Sequence, residues 1–166
     1  MGESPKGRAV GEPLFRHHGK QVAALCWRAA PVQVLLITSL NSKRWILPKG
    51  WPEDGMTPAQ AAAREAFEEA GIVGEIAQAP LGTYHYLKDR KDGGAMPCSV
   101  DVFALQVTEE LDDWPEKGTR ELVWLTLAQA AAKVGEPGLR EILRNFPKVA
   151  PSHLPSPKDR RAASPW

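Results

Sequence analysis

Glu65, Glu68 and Glu69 follow directly on Arg64, inside the run GWPEDGMTPAQAAAREAFEEAG that fills residues 50 to 71. On a helix, Glu65 and Glu69 stand one turn apart and Glu68 lies between them on the same side. Three carboxylates crowded on one face repel one another. A bound divalent cation relieves that repulsion, because hard cations such as Mg²⁺ take oxygen ligands. The alternative is an acidic face that is merely solvated, as charged helix faces ordinarily are. The context argues against that alternative: a glycine loop, a helix cap and Arg-Glu-x-x-Glu-Glu-x-Gly stand together at fixed spacing.

The elements that must position these carboxylates are marked at both ends. Thr57 suits an N-cap, Pro58 the first helical position, and Gln60 completes a capping box three residues after Thr57. Gly71 is placed to take the left-handed conformation that ends a helix. The spacing predicts a helix over 58–70, with Ala59, Ala62, Ala63, Ala66, Phe67 and Ala70 as its buried stripe. Mostly small residues let it lie close to a sheet. A short strand, Arg44 to Leu47, leads through Pro48, Lys49 and Gly50 into the loop before it.

With these residues in place, the chain resembles the Nudix hydrolases. Their signature runs glycine, five residues, glutamate, seven residues, then Arg-Glu-U-x-Glu-Glu-x-Gly-U, where U is aliphatic. Gly50 fits its start, and Arg64, Glu65, Ala66, Glu68, Glu69, Gly71 and Ile72 fit its second half. The resemblance covers residues 18 to 146. One position departs: the first glutamate of the signature falls on Met56, which accepts no strong hydrogen bond. Arg64 is then expected to lean on Glu68 or on backbone carbonyls. Within the family, Arg44-Trp-Ile-Leu-Pro-Lys-Gly-Trp-Pro-Glu53, with Asp113-Trp-Pro-Glu116, Arg120 and Trp124, is similar to the diphosphoinositol polyphosphate phosphohydrolase branch.

The resemblance implies an α/β fold, a Nudix-type α/β/α sandwich with a mixed β-sheet. It implies Mg²⁺ as cofactor, with Mn²⁺ able to substitute. Glu65, Glu69 and the Lys49 carbonyl are the implied metal ligands. Glu68 is the implied base, also able to touch a metal, and Arg64 orients it. Lys20, Ser39, Arg44, Lys49, Arg90 and Arg120 are the implied contacts to substrate phosphates. Lys88 and Lys91 could join Arg90 in closing over the substrate, and Glu136 stands where the branch often carries a basic residue. The implied activity is cleavage of a phosphoanhydride bond in a diphosphoinositol polyphosphate or a dinucleoside polyphosphate. A non-catalytic ligand sensor on the same scaffold is the alternative, and Met56 is its support.

Composition agrees with one soluble globular domain. The 166 residues suffice for a sizeable core, and 43% hydrophobic with 25% charged content is ordinary for that class. No apolar run approaches the roughly 20 residues that span a bilayer, so no membrane partner is expected. No basic–aromatic platform for nucleic acid is evident. Met1 to Gly19 lacks a signal-peptide core, and Cys26 and Cys98 read as buried, reduced thiols of a cytoplasmic protein. Net charge is +1, yet Pro13 to Gly50 holds six basic residues and no acidic one, a distribution that suits a small-molecule polyphosphate. Monomer and homodimer are both compatible with the sequence. Residues 1–17 read as a flexible N-terminal segment, 18–146 as the domain, and 147–166 as a Pro-rich flexible tail.

Overall fold

The structure, a computed structural model, describes the backbone of residues 19–29 and 31–153 and side chains as far as residue 146. Strand β1 (Gly19–Arg28) is buried on both faces, as a central strand must be. It runs parallel to β7 (Ala95–Glu110), with Gly19 opposite Cys98 and Trp27 opposite Gln106. It runs antiparallel to β2 (Gln33–Thr38) and to β4 (Lys49–Gly50). Strands β3 (Trp45–Ile46) and β8 (Leu122–Thr126) extend the sheet from β2, while β5 (Ile72–Ile76) and β6 (Gly82–Asp89) both pair with β7. The sheet is therefore mixed.

Alternation along the strands builds two cores. Ala23, Leu25, Trp27, Val34 and Leu36 pack against helices α2 (Leu127–Lys133) and α3 (Pro137–His153). Val22, Ala24, Cys26, Leu35 and Ile37 pack on the other side, against helix α1 (Pro58–Ala70). These layers make the α/β/α sandwich that the sequence predicts. Both cysteines are free and buried. Among the described residues, no helix is long and apolar enough to cross a membrane.

Helix α1 carries the caps read from the sequence. Gln60 N–H donates to Thr57 Oγ1 at 3.1 Å, and Thr57 N–H donates to Gln60 Oε1 at 2.9 Å. Gly71 closes the helix at φ 66°, where a Cβ would also strike the Trp114 ring. The buried stripe gains Ala61 and Glu69 and loses Phe67. Phe67 is only half-buried, whereas Glu69 is 2% exposed. A glutamate has thus been folded inward on a helix whose other buried residues are all alanines.

Other boundaries shift as well. The stretch Lys88–Ala95, whose Asp-Gly-Gly reads as a turn or mobile loop, holds a short turn between β6, which continues to Asp89, and β7, which begins at Ala95. The turn is closed by Arg90 N–H on the Gly94 carbonyl at 2.7 Å. The reading of 147–166 as an irregular tail meets a helix that continues to His153. Each proline in it forfeits one backbone donor, but its fixed φ is itself helical. The readings of 1–17 and of residues beyond 153 fall outside the described residues.

Candidate active site

The carboxylates of α1 meet the β3–β4 loop across a close backbone approach. A Cβ at Gly50 would lie 2.3 Å from Glu65 Oε1, so only glycine leaves room for that carboxylate. Lys49 N–H donates to Glu69 Oε1 at 3.1 Å, and Arg120 Nη2 sits 3.0 Å from Glu69 Oε2. Despite these partners, Glu69 is pushed up to about 8, first by burial and then by Glu65, against the pull of Arg120. Burial also raises Glu65, while its hydrogen bond with Glu69 opposes the rise.

A buried and a half-buried carboxylate that resist ionising together suit a hard divalent cation, which supplies charge to both. Arg120 supplies part of that charge here. The donor set is all oxygen, which fits Mg²⁺ or Mn²⁺. Glu68 is placed differently. Its Oε1 accepts from Arg64 Nε at 2.8 Å, which turns it towards the arginine. Among the described residues, no group of three or more His, Cys, Asp or Glu side chains converges as a metal cage. The structure thus brings Glu65 and Glu69 together and sets Glu68 beside them on Arg64. Lys49 shows its amide, rather than its carbonyl, to Glu69.

Met56 packs partly buried against the α1 core, so it cannot serve Arg64. Glu53 pairs with Arg64 instead: its Oε2 lies 3.5 Å from Arg64 Nη1. Sequence reading missed this residue. The available signal was a carboxylate in the same loop, three positions before Met56.

Glu65 and Glu69 lie in an open cleft of about 440 Å³. Of the six residues expected to touch substrate phosphates, Ser39, Arg44, Lys49 and Arg120 line it. Lys20 does not. It pairs with Asp101 at 3.4 Å, while its neighbour Gln21, facing the other way along β1, lines the cleft instead. Arg90 is also outside the lining, on the β6–β7 turn, 3.8 Å from Asp92. Lys88 reaches the cleft from the end of β6. His85 is exposed on the same strand. Trp51 lines the mouth at 44% exposure, whereas Trp114 packs over Gly71.

Lys49 is held by residues that the sequence did not single out. Its Nζ donates to Tyr86 Oη at 2.9 Å and to Gln21 Oε1 at 3.3 Å, and Tyr86 Oη donates to the same Gln21 oxygen at 2.5 Å. Burial, then Lys88, lowers Lys49 to about 8, so it is a cation close to losing its proton. Burial pushes Tyr86 well above its ordinary value. Arg28 pairs with Glu110 at 3.2 Å and lies 4.1 Å above the Trp124 ring.

A carboxylate pair beside arginine and lysine in an open cleft is an arrangement able to hold a divalent cation next to a phosphate. Comparison with known proteins places the chain more closely. The NUDIX domain family matches residues 6–146, and the chain belongs to the Nudix hydrolase family. Nudix hydrolase 12, mitochondrial, of Arabidopsis thaliana is 39% identical over 71% of this chain. The match spans 60% of that relative's length. Diphosphoinositol polyphosphate phosphohydrolase 3-beta of Bos taurus is 36% identical over 67% of this chain and 66% of its own. The C. elegans Ap4A hydrolase binary complex has the same fold at TM-score 0.60 and 22% identity, covering 81% of this chain and 98% of that one. A NUDIX hydrolase from Nitrosomonas europaea gives TM-score 0.63 at 21% identity, over 83% and 93%.

Proposed function

We propose that the chain is a divalent-metal-dependent pyrophosphohydrolase, using Mg²⁺ or Mn²⁺, that cleaves a phosphoanhydride bond in a diphosphoinositol polyphosphate or a dinucleoside polyphosphate. The observation that carries this reading is the pairing of half-buried Glu65 with buried Glu69 in a cleft that also holds Arg44, Lys49 and Arg120. Named relatives with diphosphoinositol and Ap4A activities support the substrate range.

Glu65 and Glu69 are the residues that would hold the ion. When bound, the ion neutralises phosphate charge and makes water a better acid. Glu68 is the side chain that takes the proton from the attacking water, and Arg64 fixes the orientation of its carboxylate. The Arg44 guanidinium offers phosphate a planar fork of donors. Lys49 Nζ adds a point charge that the Gln21–Tyr86 pair keeps aimed.

The test is a Mg²⁺-dependent phosphate-release screen over inositol pyrophosphates, diadenosine polyphosphates, ADP-ribose and nucleoside triphosphates. Release from one of the first two classes, abolished in Glu68→Gln with the fold intact, is the expected result. Wild-type rates in that variant would remove Glu68 from its role. Tight binding with no release from any class would favour the ligand sensor to which Met56 lends support.

A further inference from the structure

Arg44 does not face the cleft as an unencumbered cation. Its Nε donates to Ser42 Oγ at 3.2 Å, and its Nη1 lies 3.5 Å from Glu136 Oε1. Arg44 is half exposed, but the Glu136 side chain is only 9% exposed. The second Glu136 oxygen is buried and has no hydrogen-bond partner. Glu136 sits just before α3, where its carbonyl accepts the Arg140 N–H at 3.0 Å, so the helix start uses its backbone. A carboxylate that caps nothing and leaves an oxygen orphaned is a costly way to hold one arginine. That cost points to a use beyond stability.

The use lies in the charge of the cleft. Arg120 is already shared between Glu69 and Glu116, and Arg44 is neutralised by Glu136. The lining carries four basic and four acidic side chains, so acidic groups offset much of its positive charge before any ion or ligand enters. A ring phosphorylated at every position needs a strong cationic surplus. A short linear polyphosphate does not, and Trp51, 44% exposed at the cleft mouth with Lys88 Nζ 6.0 Å from its ring centroid, gives a planar group an aromatic ring to lie against.

We propose that Glu136 is a specificity-determining residue: by pairing with Arg44 it caps the cleft's positive charge, favouring a short phosphate chain with a planar end group over a densely phosphorylated ring. This rests on the pyrophosphohydrolase reading of the site. Glu136 acts through Arg44 and does not itself touch substrate.

The test is binding, so that it does not depend on turnover. Inositol hexakisphosphate and a methylene-bridged, non-cleavable diadenosine tetraphosphate are titrated calorimetrically into wild type, Glu136→Gln, Arg44→Gln and the double variant, with Mg²⁺ in excess. Wild type should bind the dinucleotide more tightly than the inositol phosphate; the reverse order, or binding of neither, overturns the proposal without recourse to any variant. Glu136→Gln should tighten inositol hexakisphosphate about tenfold, the effect of removing one opposing charge in a partly desolvated site, and change the dinucleotide about threefold or less. A merely structural glutamate would weaken both ligands or shift both equally, and either result overturns the proposal. The gain should vanish in the Arg44→Gln background, and its persistence would remove Arg44 as the route. Intact selectivity without hydrolysis of any substrate would sink only the pyrophosphohydrolase reading.

Discussion

Gly50→Ala should separate the chemistry of this protein from its stability. The added Cβ would sit 2.3 Å from Glu65 Oε1 and 2.4 Å from Glu65 Cδ. No backbone atom is among its close neighbours, and Gly50 has no positive φ. The strand can therefore stay, and the flexible end of Glu65 must move. Restoring van der Waals distance needs a shift of about 1 Å. A misplacement of that size in a catalytic group costs about a hundredfold in rate, or about 2.7 kcal/mol of barrier. Stability should change by about 1 kcal/mol or less, because alanine also restricts the unfolded chain. The assay pairs thermal unfolding with Mg²⁺-dependent phosphate release and with Mn²⁺ affinity measured by electron paramagnetic resonance. A variant that melts like wild type, binds Mn²⁺ poorly and turns over about a hundredfold more slowly fits the reasoning. Unchanged Mn²⁺ affinity with unchanged turnover would refute it, and so would global unfolding.

The remaining predictions concern charge. Glu69 is raised from 4.5 to about 8, so between those values the folded, metal-free protein holds a proton that the unfolded chain has lost, and stability falls as pH rises. Lys49 is lowered from 10.5 to about 8, so between those values the unfolded chain holds the extra proton and stability rises with pH. Melting temperature without metal should pass through a minimum near pH 8, which Mg²⁺ should fill in; a flat or inverted profile would contradict both assignments. Met56→Glu should leave turnover unchanged or raise it, since Glu53 already pairs with Arg64. Glu53→Gln should lose turnover modestly, Met56→Glu should restore it in the double variant, and failure of that rescue would show that Glu53 does not stand in for the motif glutamate.

How much of this was legible in the sequence depended on distance along the chain. Helix α1, its capping box and its Gly71 stop are local and could be read from residue types alone. Arg64 and Glu68 are four residues apart on one helix, so their bond was also within reach. The burial of Glu69 was not, because it requires the β4 amide and Arg120 to arrive from elsewhere. The pairing of Arg44 with Glu136 and the Gln21–Tyr86 grip on Lys49 join distant segments, and no local pattern announces them. Lys20 and Arg90 show the opposite error. Basic character was visible, but strand alternation and the turn between β6 and β7 decided that neither faces the cleft. The extension of α3 past Pro147 reflects a similar limit, since proline signals a break that this helix does not take.

Soaking crystals in Mn²⁺ and collecting anomalous diffraction would test the central claim most directly. The account predicts a peak beside the Glu65 and Glu69 carboxylates, with Arg120 drawn back from Glu69. Manganese bound elsewhere only, with Arg120 still seated on Glu69, would contradict it.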